Sequence, residues 1–363
     1  MIRLSLLQFR TQALIALATV AVFAVVFAAT GPHLASMYTA DGLSSCRGGS
    51  CQELADYFTG SLVHSPYGVL WPLSEGIILL APAVIGLFWG APLIARELET
   101  GTDALAWNQS VTQTRWLAVK LTAGALIAMA VTEALCLIQT WWATPISRAV
   151  TEGASVGVAQ SRFAPLDFAT HGVTPLGYAA FAFTLGITAG ALLRRTIPAM
   201  AVTLAIFAAL QVAMPLWARP NLAPPDHAVI PVTSLGNALP SQTGPGGTTF
   251  TLRAISISGQ PGAWLLSSGP VNAAGQATST IPAACTSAGI TGVGQGGQGG
   301  HGAPGASGPI AVVHCLVRHG IREAITYQPA GRYWRFQWTE TAIYLALALA
   351  LAGCCFRRLR RLS

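Results

Sequence analysis

Long apolar stretches alternate with short polar segments along most of the chain. A helix needs about 20 mostly apolar residues to cross the hydrocarbon core of a bilayer. Six stretches approach or exceed this length, and the last of them is near the lower limit. They are residues 12–31, 73–95, 117–142, 175–193, 197–217 and 340–356. The pattern predicts an all-α polytopic membrane protein with six transmembrane helices.

The composition agrees with a chain that lies mostly in lipid. Charged residues make up 9% of the chain and hydrophobic residues 52%, and the mean hydropathy is +0.54. Globular domains carry about 25% charged residues, so this chain has too few charges to cover a soluble surface. The net charge of +7 comes from basic residues at segment ends, whereas nucleic-acid binding needs a clustered basic face. We therefore expect the lipid bilayer as a partner and no nucleic acid.

The positions of Lys and Arg predict the orientation of the spans, because cytoplasmic segments carry an excess of both. With the N-terminus inside, the inner segments hold eleven of the twenty basic residues, and the tail FRRLRRLS is the clearest anchor. These eleven are Arg3, Arg10, Arg96, Arg115, Lys120, Arg194, Arg195, Arg357, Arg358, Arg360 and Arg361. Both termini are thus expected in the cytoplasm. Residues 1–11 form either a short interfacial helix or a basic lead-in to the first span.

The region between the fifth and sixth spans is expected outside the cytoplasm. Runs rich in Val, Ile and Thr at 248–258 and 310–317 favour strands. The Gly-rich tract 286–309 cannot bury enough apolar surface to order itself. Residues 218–339 therefore predict a small, irregular β-containing extracytoplasmic domain. It separates a membrane domain, residues 1–217, from the sixth span and basic tail, residues 340–363.

Four cysteines fall in the segments expected outside. Cys46 and Cys51 flank a short loop, and Cys285 and Cys315 bracket the Gly-rich tract. Cysteines outside the cytoplasm tend to form disulfides. We expect these two pairs to be bonded, and free or differently paired thiols are the alternative.

The motifs of common enzymes are absent from the sequence. A phosphate-binding P-loop needs glycines before its lysine, and Lys120, the single lysine, has none. G-x-S-x-G, H-E-x-x-H and paired C-x-x-C motifs are also missing. His314 and His319, the closest two histidines, are typical of surface residues rather than of metal ligands. We expect no catalytic residue, no metal ligand and no cofactor on this chain.

Glu133 lies well inside the third predicted span, in the stretch MAVTEALCLIQTWW. A carboxylate at that depth is costly and is by default a candidate functional residue. Glu133 either lines a substrate path or bonds to a neighbouring helix. The alternative is a protonated or paired residue that only packs.

Residues 95–116 form the densest polar segment in the first half of the chain. A break at Gly101 and Thr102 separates the second span from two possible short helices. Such an elbow could transmit a push from a cytoplasmic partner to two spans, and an ordinary solvated loop is the alternative.

The pattern Arg96-Glu97-x-Glu99-x-Gly101-Thr102, followed by Arg115-Trp116-Leu117-x-x-Lys120, resembles the cytoplasmic loop of type-2 ABC transporter permeases, especially actinobacterial ones. The stretches 192–204 and 327–361 look like the same group.

The resemblance implies a role for this segment. In that family the loop after the second span holds a coupling helix that docks on a separate ATP-binding subunit. Carried over, Arg96, Glu97, Glu99, Gly101 and Thr102 are the expected contact residues. Arg115 and Lys120 are the expected supporting residues.

The resemblance also implies an assembly. Two permease subunits, either two copies of this chain or this chain and a sister chain, would pair with two ATPase subunits that bind ATP and Mg²⁺. The expected function is export across the plasma membrane of a bacterium. One alternative is a non-transporting membrane sensor or anchor that displays an extracytoplasmic domain. Another is an ion-coupled secondary transporter, which would usually need several buried ionisable residues.

Overall fold

A computed structural model describes most of the chain. It covers residues 10–46, 51–99, 113–152, 161–232, 239–244, 247–251, 262–278, 285 and 309–360. The chain divides into two compact units, one of Met1–Leu222 with Gly331–Ser363 and one of Ala223–Ala330.

The first unit is helical. Its helices are α1 (Arg10–Ala40), α2 (Cys51–Val63), α3 (Tyr67–Ile85, continued to Glu99), α4 (Gln113–Trp142), α5 (Thr144–Thr151), α6 (Pro165–Thr170), α7 (Thr174–Leu193), α8 (Thr196–Ala213, continued to Asn221) and, at the end of the chain, the helix Tyr333–Arg360. Six of these are long and apolar enough to cross a membrane. The predicted six-span architecture is confirmed. Several spans are longer than the apolar stretches alone indicated, because polar turns continue the same helices.

Helix α7 is the centre of this unit. In the most apolar 18 residues of α7, 83% of the residues are buried. In the corresponding stretches of the other five spans, 17–44% of the residues are buried. It packs against α3, α4, α8 and Tyr333–Arg360. The other spans leave large apolar side chains exposed, which suits surfaces that face lipid tails.

Two Gly-x-x-x-Gly segments bring α3 and α7 into close contact. Gly86 and Gly90 bound a π-helical turn of α3, and both lie against Gly186 of α7. Gly190 of α7 lies against Ala91 and Ala95. A Cβ atom on Gly90 would lie 2.6 Å from the backbone oxygen of Phe183. Small residues at such positions let two helix backbones approach.

The second unit contains the sheet. Its elements are β1 (Asp226–Pro231), β2 (Leu239–Gly244), β3 (Gly247–Thr251), β4 (Trp264–Val271), α9 (Pro309–Arg318) and β5 (Arg322–Gln328). The helix Tyr333–Arg360, which belongs to the first unit, is labelled α10. An open antiparallel sheet has the strand order β1-β5-β4, and β2 pairs with β3. The predicted β-containing region between the fifth and sixth spans is confirmed.

One strand prediction in this region is wrong. Residues 310–317 were expected to be extended, and they lie in helix α9. Short apolar runs do not distinguish a strand from a buried helix. In α9, Leu316 is fully buried and Cys315 is bonded to Cys285, so the packing of this segment decides its conformation. Of the other predicted strand, 248–258, the first residues lie in β3 and residues 252–258 are outside the described part.

The four cysteines that were expected outside the cytoplasm are bonded as two pairs in the structure. Cys46 is joined to Cys51, the first residue of α2, and Cys285 is joined to Cys315. The Gly-rich tract between the second pair and residues 1–9 lie outside the described residues.

Candidate functional site

The polar segment expected to act as the coupling loop begins where α3 ends. There the ammonium group of Lys120 lies 2.5 Å from the Glu97 carboxylate and 4.3 Å from the centre of the Trp116 ring. Lys120 is buried, and Glu97 is largely so. Because a buried charge is costly without a partner, this ion pair fixes the end of α3 against the first turns of α4.

Glu99 connects the same end of α3 to a third helix. Its carboxylate accepts hydrogen bonds from the backbone N–H of Thr196, at 2.8 Å, and from the Thr196 hydroxyl, at 2.7 Å. Thr196 is the first residue of α8, where unpaired backbone N–H groups and the helix dipole favour an anion. Glu99 therefore caps α8 from a distant part of the chain.

The residues predicted for this region differ in their surroundings. Glu97 and Lys120 contact each other, and Glu99 caps α8. Arg96 and Arg115 are exposed near the ends of α3 and α4. Gly101 and Thr102 lie outside the described residues. The end of α3 is thus joined to both α4 and α8.

A cavity of about 560 Å³ lies at the opposite end of α4. Its lining includes Glu133 and Cys136 of α4, Arg148 of α5, Arg162, Asp167, His171, and Tyr333 and Trp334 of α10. Acidic, basic and aromatic groups therefore face one space. Such a lining suits an amphiphilic molecule rather than a purely apolar one.

Glu133, the intramembrane acid singled out from the sequence, lines this cavity. Its Oε2 atom is buried and has no hydrogen-bond partner in the described part of the chain. Nearby, the Cys136 thiol donates to the backbone oxygen of Thr170 at 3.2 Å. Glu133 thus presents an unpaired carboxyl oxygen beside a space large enough for a ligand.

Glu133 is not the only acid inside a span. Glu75 lies in α3 and Glu340 in α10, and both are buried. The apolar pattern did not single out these two acids, because each stands at the edge of its predicted apolar stretch.

Glu340 belongs to a buried ion pair that joins three spans. Arg219, at the end of α8, donates from Nε and Nη2 to the two Glu340 carboxylate oxygens, at 3.0 and 3.1 Å. The Tyr178 hydroxyl of α7 donates to the same carboxylate. The Arg219 guanidinium also lies 3.9 Å from the centre of the Phe168 ring.

Glu75 belongs to a cluster that the sequence did not indicate, because its members are far apart in the chain. Glu75, Asp167 and His171 each place a potential ligand atom within 4.8 Å of the others. Burial raises the pKa of Asp167 and lowers the pKa of His171. The imidazole is therefore neutral at pH 7, and one of its nitrogens is able to accept.

Comparison with known protein families identifies a family for this chain. Residues 17–219 match a protein family described as ABC-2 membrane transporter related. No curated protein and no solved structure matches the chain.

Proposed function

We propose that this chain, which belongs to the ABC-2 membrane transporter related family, is the membrane subunit of an ATP-binding-cassette exporter. Family membership makes it a multi-pass transporter permease. In agreement, the described part of the chain has six helices that are long and apolar enough to cross a membrane. The proposal adds that ATP is hydrolysed on a separate subunit, that two permease chains assemble, and that the substrate leaves a bacterial cytoplasm through the plasma membrane.

Mechanical coupling between an ATPase partner and the spans is supported by the contacts that join three helix ends beside residues 95–116. Glu97 pairs with Lys120 of α4, and Glu99 caps α8 at Thr196. A force applied to residues 95–116 would therefore move α3, α4 and α8 together rather than bend one loop. In this proposal Glu97, Glu99 and Lys120 position the segment.

The contact with the ATPase subunit is proposed for the side chains that remain accessible. Arg96 and Arg115 are exposed, and arginine is enriched among residues that dominate protein interfaces. Gly101 and Thr102 are also proposed as contact residues, and this part of the proposal rests on the family resemblance alone. ATP and Mg²⁺ would bind the partner, since this chain has no P-loop.

The double variant Arg96→Ala/Arg115→Ala is expected to lose its ATPase partner. Both side chains are exposed, so their truncation should remove interface contacts without leaving a cavity in the core. The measurement is co-purification of the tagged full-length protein in mild detergent from its native host, with mass spectrometry of the bound subunits. We expect at least a roughly tenfold drop in the bound ATPase, about 1.4 kcal/mol of binding free energy.

Arg335→Ala is the matched control, because Arg335 is also an exposed arginine but lies near the first turn of α10. It should retain the partner. If wild-type protein of normal monodispersity brings down no ATPase, the exporter proposal is wrong and a sensor or anchor takes its place. If the double variant binds as wild type does, the proposed contact is wrong.

Glu133→Gln is expected to reduce export while leaving the ATPase subunit bound. The substitution keeps the size of the side chain and removes its ability to ionise in the cavity. The check is ATP-dependent transport of a panel of amphiphilic dyes in inside-out vesicles, with co-purification measured in parallel. Unchanged transport of every dye that the wild type carries would remove Glu133 from the proposed substrate path.

A further inference from the structure

Three side chains that the export function does not use meet beside the cavity. Glu75 comes from α3, Asp167 from α6, and His171 directly follows α6. Their potential ligand atoms all lie within 4.8 Å of one another. Glu75 is buried, with 3% exposure, and the other two are half-buried.

The imidazole of His171 lies close to Asp167, and its Nδ1 atom is 3.8 Å from a carboxylate oxygen of that residue. Its Nδ1 atom lies 2.9 Å from the backbone oxygen of Asp167, which can only accept, so Nδ1 carries the proton. Nε2 is then the accepting nitrogen, and it is buried without a hydrogen-bond partner in the described part of the chain. Histidines that bind metals typically donate their other ring N–H to a backbone carbonyl or a carboxylate in this way.

Glu75 supplies an independent observation. Its Oε1 atom is buried and also lacks a hydrogen-bond partner among the described residues. A buried polar atom left unsatisfied costs about 1–3 kcal/mol, and more if it is charged. A cation that bonded to both Glu75 Oε1 and His171 Nε2 would satisfy the two atoms together.

The remaining surroundings restrict what that cation can be. The Trp71 ring packs beside the His171 ring, with 5.8 Å between the centroids, so one side of the cluster is apolar. Arg162 is the basic residue that acts on both Asp167 and His171, and it lines the cavity together with them. A small ion that bonds directly to nitrogen and oxygen fits there better than a large, weakly bound one.

We propose that Glu75, Asp167 and His171 form a binding site for a divalent transition-metal ion, with Zn²⁺ as the best chemical match. One imidazole and two carboxylates are ligands that Zn²⁺ accepts, whereas Mg²⁺ and Ca²⁺ prefer oxygen alone. Asp167 and His171 also line the cavity, so a further ligand of the ion can come from that side. The metal ties α3 to the segment that leads into α7.

The test measures Zn²⁺ bound to the full-length protein in detergent. The tag contains no histidine, EDTA removes adventitious metal, and the exposed Cys354 is alkylated under non-reducing conditions so that both disulfides stay closed. We expect about one Zn²⁺ per chain by elemental analysis. His171→Gln and Glu75→Gln should each weaken the affinity, measured by titration calorimetry, by roughly 10–100-fold.

His319→Gln is the matched control. His319 is exposed and lies beside Cys285 and Cys315. These three residues are a second group with metal-ligand chemistry in the described part of the chain, and the two sulphurs are used by the disulfide. It should bind Zn²⁺ as the wild type does. Equal loss in His319→Gln, or full binding by His171→Gln, overturns the proposed site.

Cobalt substitution keeps the proposal testable if the variants do not fold. Co²⁺ bound to one nitrogen and two oxygens should give visible absorption bands without a thiolate charge-transfer band in the near ultraviolet. A wild-type protein that binds no Zn²⁺ and shows no such bands refutes the site. That result leaves co-purification of the ATPase unaffected, so failure of this inference and failure of the proposed function are distinguishable.

Discussion

Glu340→Gln is expected to destabilise the helical unit by about 3–5 kcal/mol, the usual cost of leaving one member of a buried ion pair uncompensated. Arg219 is 1% exposed and Glu340 fully buried, so water cannot replace the lost carboxylate. The same carboxylate accepts from Tyr178, so the change weakens the junction of α7, α8 and α10. Thermal unfolding in detergent should show a fall in Tm of roughly 5 °C or more.

Two further variants separate the ion pair from a general effect of mutation in α10. Arg335→Gln changes an exposed charge one and a half turns earlier and should leave Tm almost unchanged. Arg219→Met/Glu340→Leu removes both charges and should recover most of the loss, because apolar replacement of a buried pair is often neutral. The recovery should be incomplete, since the Tyr178 hydroxyl loses its acceptor. A Glu340→Gln protein as stable as Arg335→Gln would refute this account.

The spans were predictable because their signal is long and local. About 20 apolar residues in a row have few other stable environments than a bilayer, so composition within one window is sufficient. The same windows placed Glu75 and Glu340 at the edges of their stretches. In the structure α3 begins at Tyr67 and α10 at Tyr333, so both acids lie within helices. Helix ends depend on packing and capping, which apolar windows do not record.

The contacts within the candidate sites were not predictable, because they join distant parts of the chain. From a resemblance, Glu97 was expected to be a contact residue and Lys120 a supporting residue, and nothing in the sequence indicated that they pair with each other. The capping of α8 by Glu99 and the meeting of Glu75 with His171 are of the same kind. A single sequence shows which charges are present, whereas their partners depend on how the helices pack.

The close approach of α3 and α7 had a visible signal that was not used. GLFWG at 86–90 and GITAG at 186–190 have the spacing typical of closely packed membrane helices. Both segments lie inside predicted spans, 73–95 and 175–193, and were treated only as apolar. Read as a pair, the two segments would have predicted that these helices are neighbours.

Gly186→Val is expected to disrupt the packing of α3 against α7. A Cβ atom on Gly186 would meet the backbone oxygen of Gly86 and would lie 2.8 Å from the backbone nitrogen of Ala91. Backbone atoms of a packed helix cannot move aside as a flexible side chain can. Overpacking usually costs about 1–3 kcal/mol and sometimes more. Because α7 is the most buried span, we expect the upper end of this range or beyond, with a lower Tm and less monodisperse protein.

Gly76→Val is the matched control for this substitution. Gly76 also lies inside a spanning helix, α3, but nothing is within 4 Å of the position of its Cβ atom. Both variants place the same β-branched side chain in a helix, so the intrinsic helix propensity cancels in the comparison. The difference in Tm between them therefore measures the clash alone. If the two variants unfold at the same temperature, α3 and α7 do not approach as closely as their glycines allow, and the central position of α7 in the bundle is wrong.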